Sequence, residues 1–261
     1  MDDRYHEYEE FVAIPTQYLI ANIDVLGVKN KLLKIDEKER AVELSKLNYF
    51  IEKAKNGNEA TKALIDQGLE TICFSDNIVI AYNINLAINQ KDLNTKCAIL
   101  LLYVMSLQAE ALSQNFLLRG SIKFGELFID KNKNFICGKG LVETYIQENE
   151  LANYPRIITT DIELLKMVKD IVLDNNITLR EIFKKDFDNI YYLDYLQLLT
   201  ITPELTDDIM QKVKNRYEQD MSSERVLNEK IKQKHDWHVN YFNSFCDRVN
   251  LPEYKIEVNN D

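Results

Sequence analysis

The sequence predicts an α+β protein (α/β class), a β-sheet flanked by helices with a helical extension at the C-terminal end. Two observations predict this class. As far as about residue 200, short β-favouring segments alternate with helix-favouring segments, and turn-forming residues separate them. After Pro203 the pattern becomes helical and strongly charged. We therefore expect a main domain over residues 1–200 and a helical extension over residues 201–261.

The N-terminal third of the chain favours a strand followed by two helices. The apolar segment 18–26, which ends before Gly27, is typical of a buried strand. The charged segment 31–66 favours two helices, because Asn56-Gly57 marks a turn inside it. We therefore expect a buried first strand followed by two helices in sequence.

The middle of the chain favours hairpins around a core helix. Segments 70–74 and 77–82 are typical of a tight β-hairpin, which puts Asp76 at its tip. The elements expected after it are a core helix at 93–115, a hairpin of 117–129 with 134–137, a helix at 138–152, a strand at 156–159, a helix at 161–172 and a Tyr-rich strand at 189–196.

Composition excludes several classes of protein. The net charge is −10, and no cluster of basic residues is present to neutralise a nucleic-acid backbone. The longest apolar run, at 97–107, is about half of the roughly 20 residues that cross a bilayer. The acidic N-terminus does not resemble a signal peptide, and the four cysteines are far apart. We expect a cytoplasmic protein with reduced thiols that binds neither nucleic acid nor a membrane.

Two aspartates stand out from their surroundings. Asp24 lies between Ile23 and Val25 in the first predicted strand, where an ionised carboxylate is costly unless a cation or hydrogen bonds compensate it. Asp76 is predicted at a hairpin tip. Two such carboxylates brought together would repel each other, and divalent cations remove the conflict by neutralising both. The pair therefore predicts metal-dependent phosphoryl chemistry.

Each aspartate also has a simpler interpretation. Asp24 could cap the helix that follows the strand, and Asp76 could be an ordinary turn former. Taken singly, each residue favours that interpretation. The pair, together with the order of the elements around it, favours the metal site.

Several short segments follow one another in a characteristic order. They are IDVLGVK at 23–29, FSDNIV at 74–79, LRGSI at 118–122, GKGLVETY at 138–145, YPRI at 154–157 and a late Trp237 with NYFN at 240–243. This order resembles the class III nucleotidyl cyclase family. Within that family it is most similar to the bacterial pyrimidine (uridylate or cytidylate) cyclases of Pycsar anti-phage systems.

The resemblance implies a reaction and a site. The reaction would convert UTP, or else CTP, to the 3′,5′-cyclic monophosphate and pyrophosphate, with residues 1–200 as the catalytic domain. Asp24 and Asp76 would bind two Mn²⁺ or Mg²⁺ ions, with the Val25 carbonyl as a further ligand. A head-to-tail homodimer is implied, and the cyclic product would activate a separate effector against phage infection.

The chain departs from the purine cyclases of that family on one helix. Val142 and Ile146 stand where those enzymes carry Asn and Arg, and neither side chain can donate a hydrogen bond. Arg119 is our candidate for binding the phosphates and stabilising the transition state, since a guanidinium binds phosphate oxygens bidentately. Its simpler interpretation is a surface cation at a strand end. Lys139 and Arg156 are weaker candidates, a loop charge and a structural ion-pair partner respectively.

Other functions stay open from the sequence. A catalytically inactive cyclase-like module could bind a nucleotide or a partner. A dinucleotide cyclase would use the same metals, although its G-G-D-E-F hairpin is absent, because the hairpin here has the sequence FSDN. An interaction protein could act through its C-terminal helices. His235 and His238 have helical spacing, but they lack a convincing third zinc ligand and are set aside.

Overall fold

The computed structural model describes residues 14–28, 32–33, 36–57, 62–130, 132–133, 135–172, 178–201, 206–221 and 229–257. The strands are β1 (Thr16–Val25), β2 (Leu69–Phe74), β3 (Asn77–Asn83), β4 (Leu118–Asp130), β5 (Phe135–Cys137), β6 (Ile157–Thr159), β7 (Phe183–Lys185) and β8 (Tyr191–Leu193). The helices are α1 (Glu37–Asn56), α2 (Lys62–Ile65), α3 (Gln90–Ser113), α4 (Lys139–Leu151), α5 (Ile162–Met167), α6 (Leu198–Ile201), α7 (Thr206–Met221) and α8 (Glu229–Val249).

The described strands form a sheet in the order β2-β3-β1-β4-β6-β8-β7, and β5 extends β4 as a hairpin. Strand β1 is antiparallel to both of its neighbours, β3 and β4. Strands β4 and β6 are parallel, and β8 is antiparallel to β6 and β7. Helices flank this sheet, which confirms the predicted α+β class.

The side chains of β1 alternate between the two faces of the sheet. Side chains of successive strand residues point to opposite faces. Leu19 and Ile23 therefore belong to the large core that includes α3, whereas Ile20 belongs to a smaller cluster against which Leu141 of α4 packs. The same alternation puts Asp24 on the α4 side of the sheet. The side chain of Asp24 is thus separated from the main core by the sheet itself, whereas that of Val25 belongs to the main core.

Helix α3 is the core helix that its apolar sequence predicts. By length and composition it is apolar enough to cross a membrane, but 72% of its most apolar window is buried inside the protein. The Tyr103 hydroxyl donates a hydrogen bond of 2.6 Å to the Ala54 carbonyl at the end of α1. This contact satisfies a buried polar group and joins two of the covering helices.

Helix α8 contributes its apolar face to the same core as the sheet. Its buried side chains are Trp237, His238, Val239, Tyr241, Phe242, Phe245 and Cys246. The hydroxyl of Tyr195 lies 2.6 Å from Nε2 of His238, so His238 has a structural partner. The division of the chain at residue 200 stays a prediction about folding units.

Arg156 is fully buried beside α8. Its guanidinium donates hydrogen bonds to Asp186 and Asp188, and Nε1 of Trp237 donates to Asp186 at 2.7 Å. The rings of Tyr154 and Trp237 lie on the same guanidinium. The prediction that Arg156 is a structural ion-pair partner is confirmed.

Most predicted elements are present within a few residues, and the differences have local causes. The Tyr-rich strand is only three residues long, because the chain turns into a 3₁₀ helix at Tyr195–Gln197. The helix predicted at 161–172 ends at Met167 and continues as a 3₁₀ turn. Strand β7 was not predicted, because its three residues, two of them lysines, are too few to show the alternation of apolar and polar side chains that indicates a strand. The serines at positions 222 and 223 favour a helix break after Met221, and both lie outside the described residues.

Candidate active site

Asp24 and Arg119 meet at the C-terminal end of β1. The antiparallel register makes Asp24 the direct partner of Arg119 in β4 and of Asn77 in β3. The Nε–H of Arg119 donates to Oδ2 of Asp24 at 2.9 Å, and each side chain is 22% exposed. The carboxylate in the apolar strand therefore has a cationic partner and still faces solvent.

The hairpin tip between β2 and β3 lies against the same strand end. Ser75 adopts a positive φ of 60° in this turn, and its hydroxyl donates to Oδ1 of Asp76 at 2.8 Å. The Asp76 carbonyl accepts a hydrogen bond of 3.0 Å from the N–H of Val25. The structure thus brings Asp24, Val25, Asp76 and Arg119 together from three distant segments of the chain.

Helix α4 covers this end of the sheet because its start packs unusually close to β4. A Cβ added to Gly140 would lie 2.9 Å from the backbone of Gly125, so both glycines allow the close approach. The buried residues of α4 are Gly140, Thr144 and Glu148, which follow one another at four-residue spacing on the inner face. Glu148 is therefore directed at the strands.

Glu148 adds a second carboxylate beside the ion pair of Asp24 and Arg119. Its Oε1 lies 2.8 Å from Nε of Arg119, and its side chain is only 2% exposed. Burial raises the pKa of Glu148, and the charge of Arg119 opposes that increase. Among the described residues, Oε1 of Glu148 has no hydrogen-bond partner despite this proximity. The reason is that Arg119 Nε carries a single hydrogen, which Asp24 accepts.

Lys234 of α8 interacts electrostatically with Asp24, Arg119 and Glu148. Burial and the positive charge of Arg119 lower the pKa of Lys234, while Asp24 and Glu148 act in the opposite direction. His238, one helical turn later, lines a small cavity together with Leu118, the residue before Arg119. The end of the sheet therefore carries three carboxylates, those of Asp24, Asp76 and Glu148, and two cations, Arg119 and Lys234.

The residues present suit a hard divalent cation. Two carboxylates and a backbone carbonyl are oxygen ligands, which Mg²⁺ and Mn²⁺ prefer. Within the described ranges, no group of three or more His, Cys, Asp or Glu side chains converges on a metal position. Two carboxylates completed by substrate phosphates and water are nevertheless the usual Mg²⁺ arrangement at phosphoryl-transfer sites. Asp24, Asp76 and the Val25 carbonyl fit such a site.

The outer face of α4 is apolar and exposed. Val142, Tyr145 and Ile146 are 56%, 56% and 45% exposed, and their spacing puts them on one side of the helix. Exposed neighbouring apolar side chains of this kind are typical of an interaction surface. Lys139 is the first residue of α4, so its interpretation as a loop charge is wrong. Its side chain is exposed, and its Nζ lies 3.7 Å from Oε1 of Glu143.

The sequence matches no known protein-family model and no curated protein. Three solved structures to which the chain is similar are cyclases. The adenylyl cyclase CyaB from P. aeruginosa is 11% identical over 69% of this chain and 94% of its own, with a TM-score of 0.47. The guanylyl cyclase Cya2 is 12% identical over 69% and 92%, with a TM-score of 0.40. A bacterial light-regulated adenylyl cyclase is 11% identical over 75% and 99%, with a TM-score of 0.40. These matches are too distant to assign a function.

A cavity of about 330 Å³ lies elsewhere, between the β7–β8 turn and α8. Tyr154, Phe187, Tyr192 and Trp237 contribute to its wall. Tyr192 packs edge-on against Trp237, so this tyrosine is part of an aromatic cluster and not an open stacking platform. The cavity shares no lining residue with the group around Asp24.

Sequence reasoning missed Glu148 and Lys234. The four-residue spacing from Gly140 through Thr144 to Glu148 was a usable signal, because it extends a face made of small residues to a carboxylate. Lys234 gave no such signal. Its proximity depends on how α8 packs, and that is a tertiary property.

Proposed function

We propose that the chain is a nucleotidyl cyclase that converts a pyrimidine nucleoside triphosphate to its 3′,5′-cyclic monophosphate and pyrophosphate. The observation that supports it best is the meeting of Asp24, Asp76 and Arg119 at one end of the central strands. The motifs single out the same three residues. UTP is the favoured substrate and CTP the second, from the family resemblance.

Each residue has a role in this reaction. Asp24 and Asp76, with the Val25 carbonyl, hold Mn²⁺ or Mg²⁺, which when bound neutralises phosphate charge and makes the ribose 3′ hydroxyl more acidic. The 3′ oxygen forms a bond to the α-phosphorus, the bond to pyrophosphate breaks, and the 3′ proton is released. Neither Nη atom of Arg119 donates a hydrogen bond to a described residue, so both groups are available for phosphate oxygens.

The active form would be a homodimer. The apolar face of α4, made of Val142, Tyr145 and Ile146, is the surface that a second copy would cover. Such packing would exclude water from the neighbouring site and strengthen its electrostatic interactions. The helix would then contribute by packing, where the purine cyclases of the family use hydrogen-bond donors.

The biological role follows from the same resemblance. The protein would act in the cytoplasm, and its cyclic nucleotide would be a second messenger in anti-phage defence that activates a separate effector. No membrane or nucleic-acid partner is needed for this role. The net charge of −10 also disfavours nonspecific binding to nucleic acid.

The experiment that tests the proposal is a product analysis. Purified protein is incubated with each of the four ribonucleoside triphosphates and Mn²⁺, and the products are identified by mass spectrometry. Cyclic UMP or cyclic CMP that disappears in the Asp76→Asn variant supports the proposal and names the substrate. A cyclic purine product would overturn the pyrimidine assignment while keeping the reaction class.

The second candidate is a catalytically inactive cyclase-like module that binds a nucleotide or a partner. The observation that favours it is the apolar pair Val142 and Ile146 at positions where the purine cyclases carry donors. Under this function, nucleotide would bind without turnover, even in the dimer. Calorimetric titration with UTP and CTP, beside the product analysis, separates the two functions.

A further inference from the structure

Arg119 lies between two carboxylates that compete for one hydrogen. Its Nε is 2.9 Å from Oδ2 of Asp24 and 2.8 Å from Oε1 of Glu148. Only Asp24 receives the hydrogen bond. Among the described residues, Oε1 of Glu148 stays without a hydrogen-bond partner although the side chain is only 2% exposed.

An unsatisfied buried carboxylate oxygen is unfavourable. A metal ion that uses Asp24 as a ligand would compete with Arg119 for that carboxylate, because the metal ion and the guanidinium repel each other and Arg119 occupies Oδ2. Arg119 must then lose its partner in β1. The nearest alternative acceptor is Glu148, and the distance to it already equals that of a charge-assisted hydrogen bond.

We propose that Glu148 is a positioning residue that accepts the Nε–H of Arg119 when a divalent cation binds Asp24. The inference rests on the proposed function, since it takes Asp24 as a metal ligand. A small rotation of the guanidinium exchanges one acceptor for the other. The exchange satisfies the buried oxygen of Glu148 and leaves the carboxylate of Asp24 to the metal.

The surrounding charges support this exchange. Lys234 of α8 acts on both carboxylates and partly balances the negative charge of Glu148. Glu148 itself is on a helix anchored against β4, where Ser121 Oγ donates a hydrogen bond of 2.8 Å to the Thr144 carbonyl. Glu148 is therefore a fixed acceptor, and Arg119 is the side chain that moves.

The inference predicts that Glu148 raises metal affinity through Arg119. Without the charge of Glu148, Arg119 keeps Asp24 as its only carboxylate partner, and the metal must displace a stronger ion pair. A partner outside the ligand set typically changes metal affinity by about 10-fold or more when it is replaced. We expect a loss of about that size, on the order of 10-fold.

The test measures Mn²⁺ binding to the full-length protein without nucleotide, from the electron paramagnetic resonance signal of free Mn²⁺. Glu148→Gln, a near-isosteric change, should weaken binding about 10-fold. Glu148→Asp should weaken it as well, because the shorter side chain withdraws its oxygens from Arg119, and this variant serves if the first does not fold. Glu150→Gln, an exposed acid on the same helix, is the matched control and should bind as the wild type does.

A second pair of variants separates the proposed contact from a general charge effect. In the Arg119→Met background, Glu148→Gln should leave Mn²⁺ affinity unchanged within about twofold, because no guanidinium is left to position. An equal loss in both backgrounds would overturn the inference, since it would mean that Glu148 acts on the metal through space. Wild-type Mn²⁺ affinity in Asp24→Asn would instead refute the metal assignment of the proposed function, and the inference with it.

Discussion

Asp24 and Arg119 are direct partners across the antiparallel pairing of β1 and β4, and they share a hydrogen bond of 2.9 Å. The residue proposed to hold a metal and the residue proposed to bind phosphate are therefore coupled in the free protein. A change at either one should affect both metal binding and turnover.

Asp24→Asn and Asp76→Asn should each abolish cyclic nucleotide formation, because each removes a carboxylate that the metals require. The fold should persist, since Asn keeps the size of Asp at both positions. Product formation is measured by mass spectrometry, and folding by circular dichroism. The exposed Asp170→Asn is the control and should retain wild-type turnover. Product formation by either site variant would contradict the two-aspartate site.

Arg119→Ala should lower turnover by raising the activation free energy by about 2 to 4 kcal/mol, if the guanidinium stabilises charge that develops on the phosphates. Arg119→Lys should recover only part of the rate, because an ammonium cannot bind two oxygens in the same fork geometry. Steady-state kinetics with the identified substrate give kcat and KM for both variants. A wild-type rate in Arg119→Ala would make Arg119 a surface cation of the strand.

Val142→Asp and Ile146→Asp should convert the proposed dimer to a monomer and reduce turnover, since each puts a charge into a surface that a second copy must cover. Light scattering after size-exclusion chromatography gives the mass in solution. Ile162→Asp, an exposed apolar residue on α5, is the matched control. Monomeric wild-type protein with full activity would refute this interface.

Gly120→Ala should destabilise the protein and reduce activity, because a Cβ at that position would lie 2.3 Å from the backbone oxygen of Asn22 in β1. Overpacking of this kind costs about 1 to 3 kcal/mol, and here it would separate the strands that hold Asp24 and Arg119. Urea unfolding and product formation are the measurements. The neighbouring Ser121→Ala removes one hydrogen bond, to the Thr144 carbonyl, and should cost about 1 kcal/mol. Equal stability of the Gly120 variant and the wild type would contradict the close strand approach.

Local sequence patterns predicted much of the fold and part of the site. The spacing of apolar residues and the positions of turn-forming residues were sufficient to predict β1, the hairpin that carries Asp76 and α3. A three-residue strand such as β7 is too short to show an alternation of apolar and polar residues, and it forms because it pairs with β8. The contacts of Glu148 and Lys234 depend on how α4 and α8 pack against the sheet. The spacing within α4 indicates which face carries Glu148, but no local pattern indicates its contact with Arg119 or the position of Lys234.

The pairing of β1 with β4 also affects how the protein reaches its native state. Asp24 and Arg119 are separated by 95 positions along the chain, so their hydrogen bond forms only after a long loop closes. Contacts between residues so distant in sequence are associated with slow folding, because chain entropy is lost before the contacts compensate for it. A partly folded chain could contain the β2–β3 hairpin and α3 and still lack the ion pair. During refolding, enzymatic activity should therefore recover later than the circular dichroism signal of the helices.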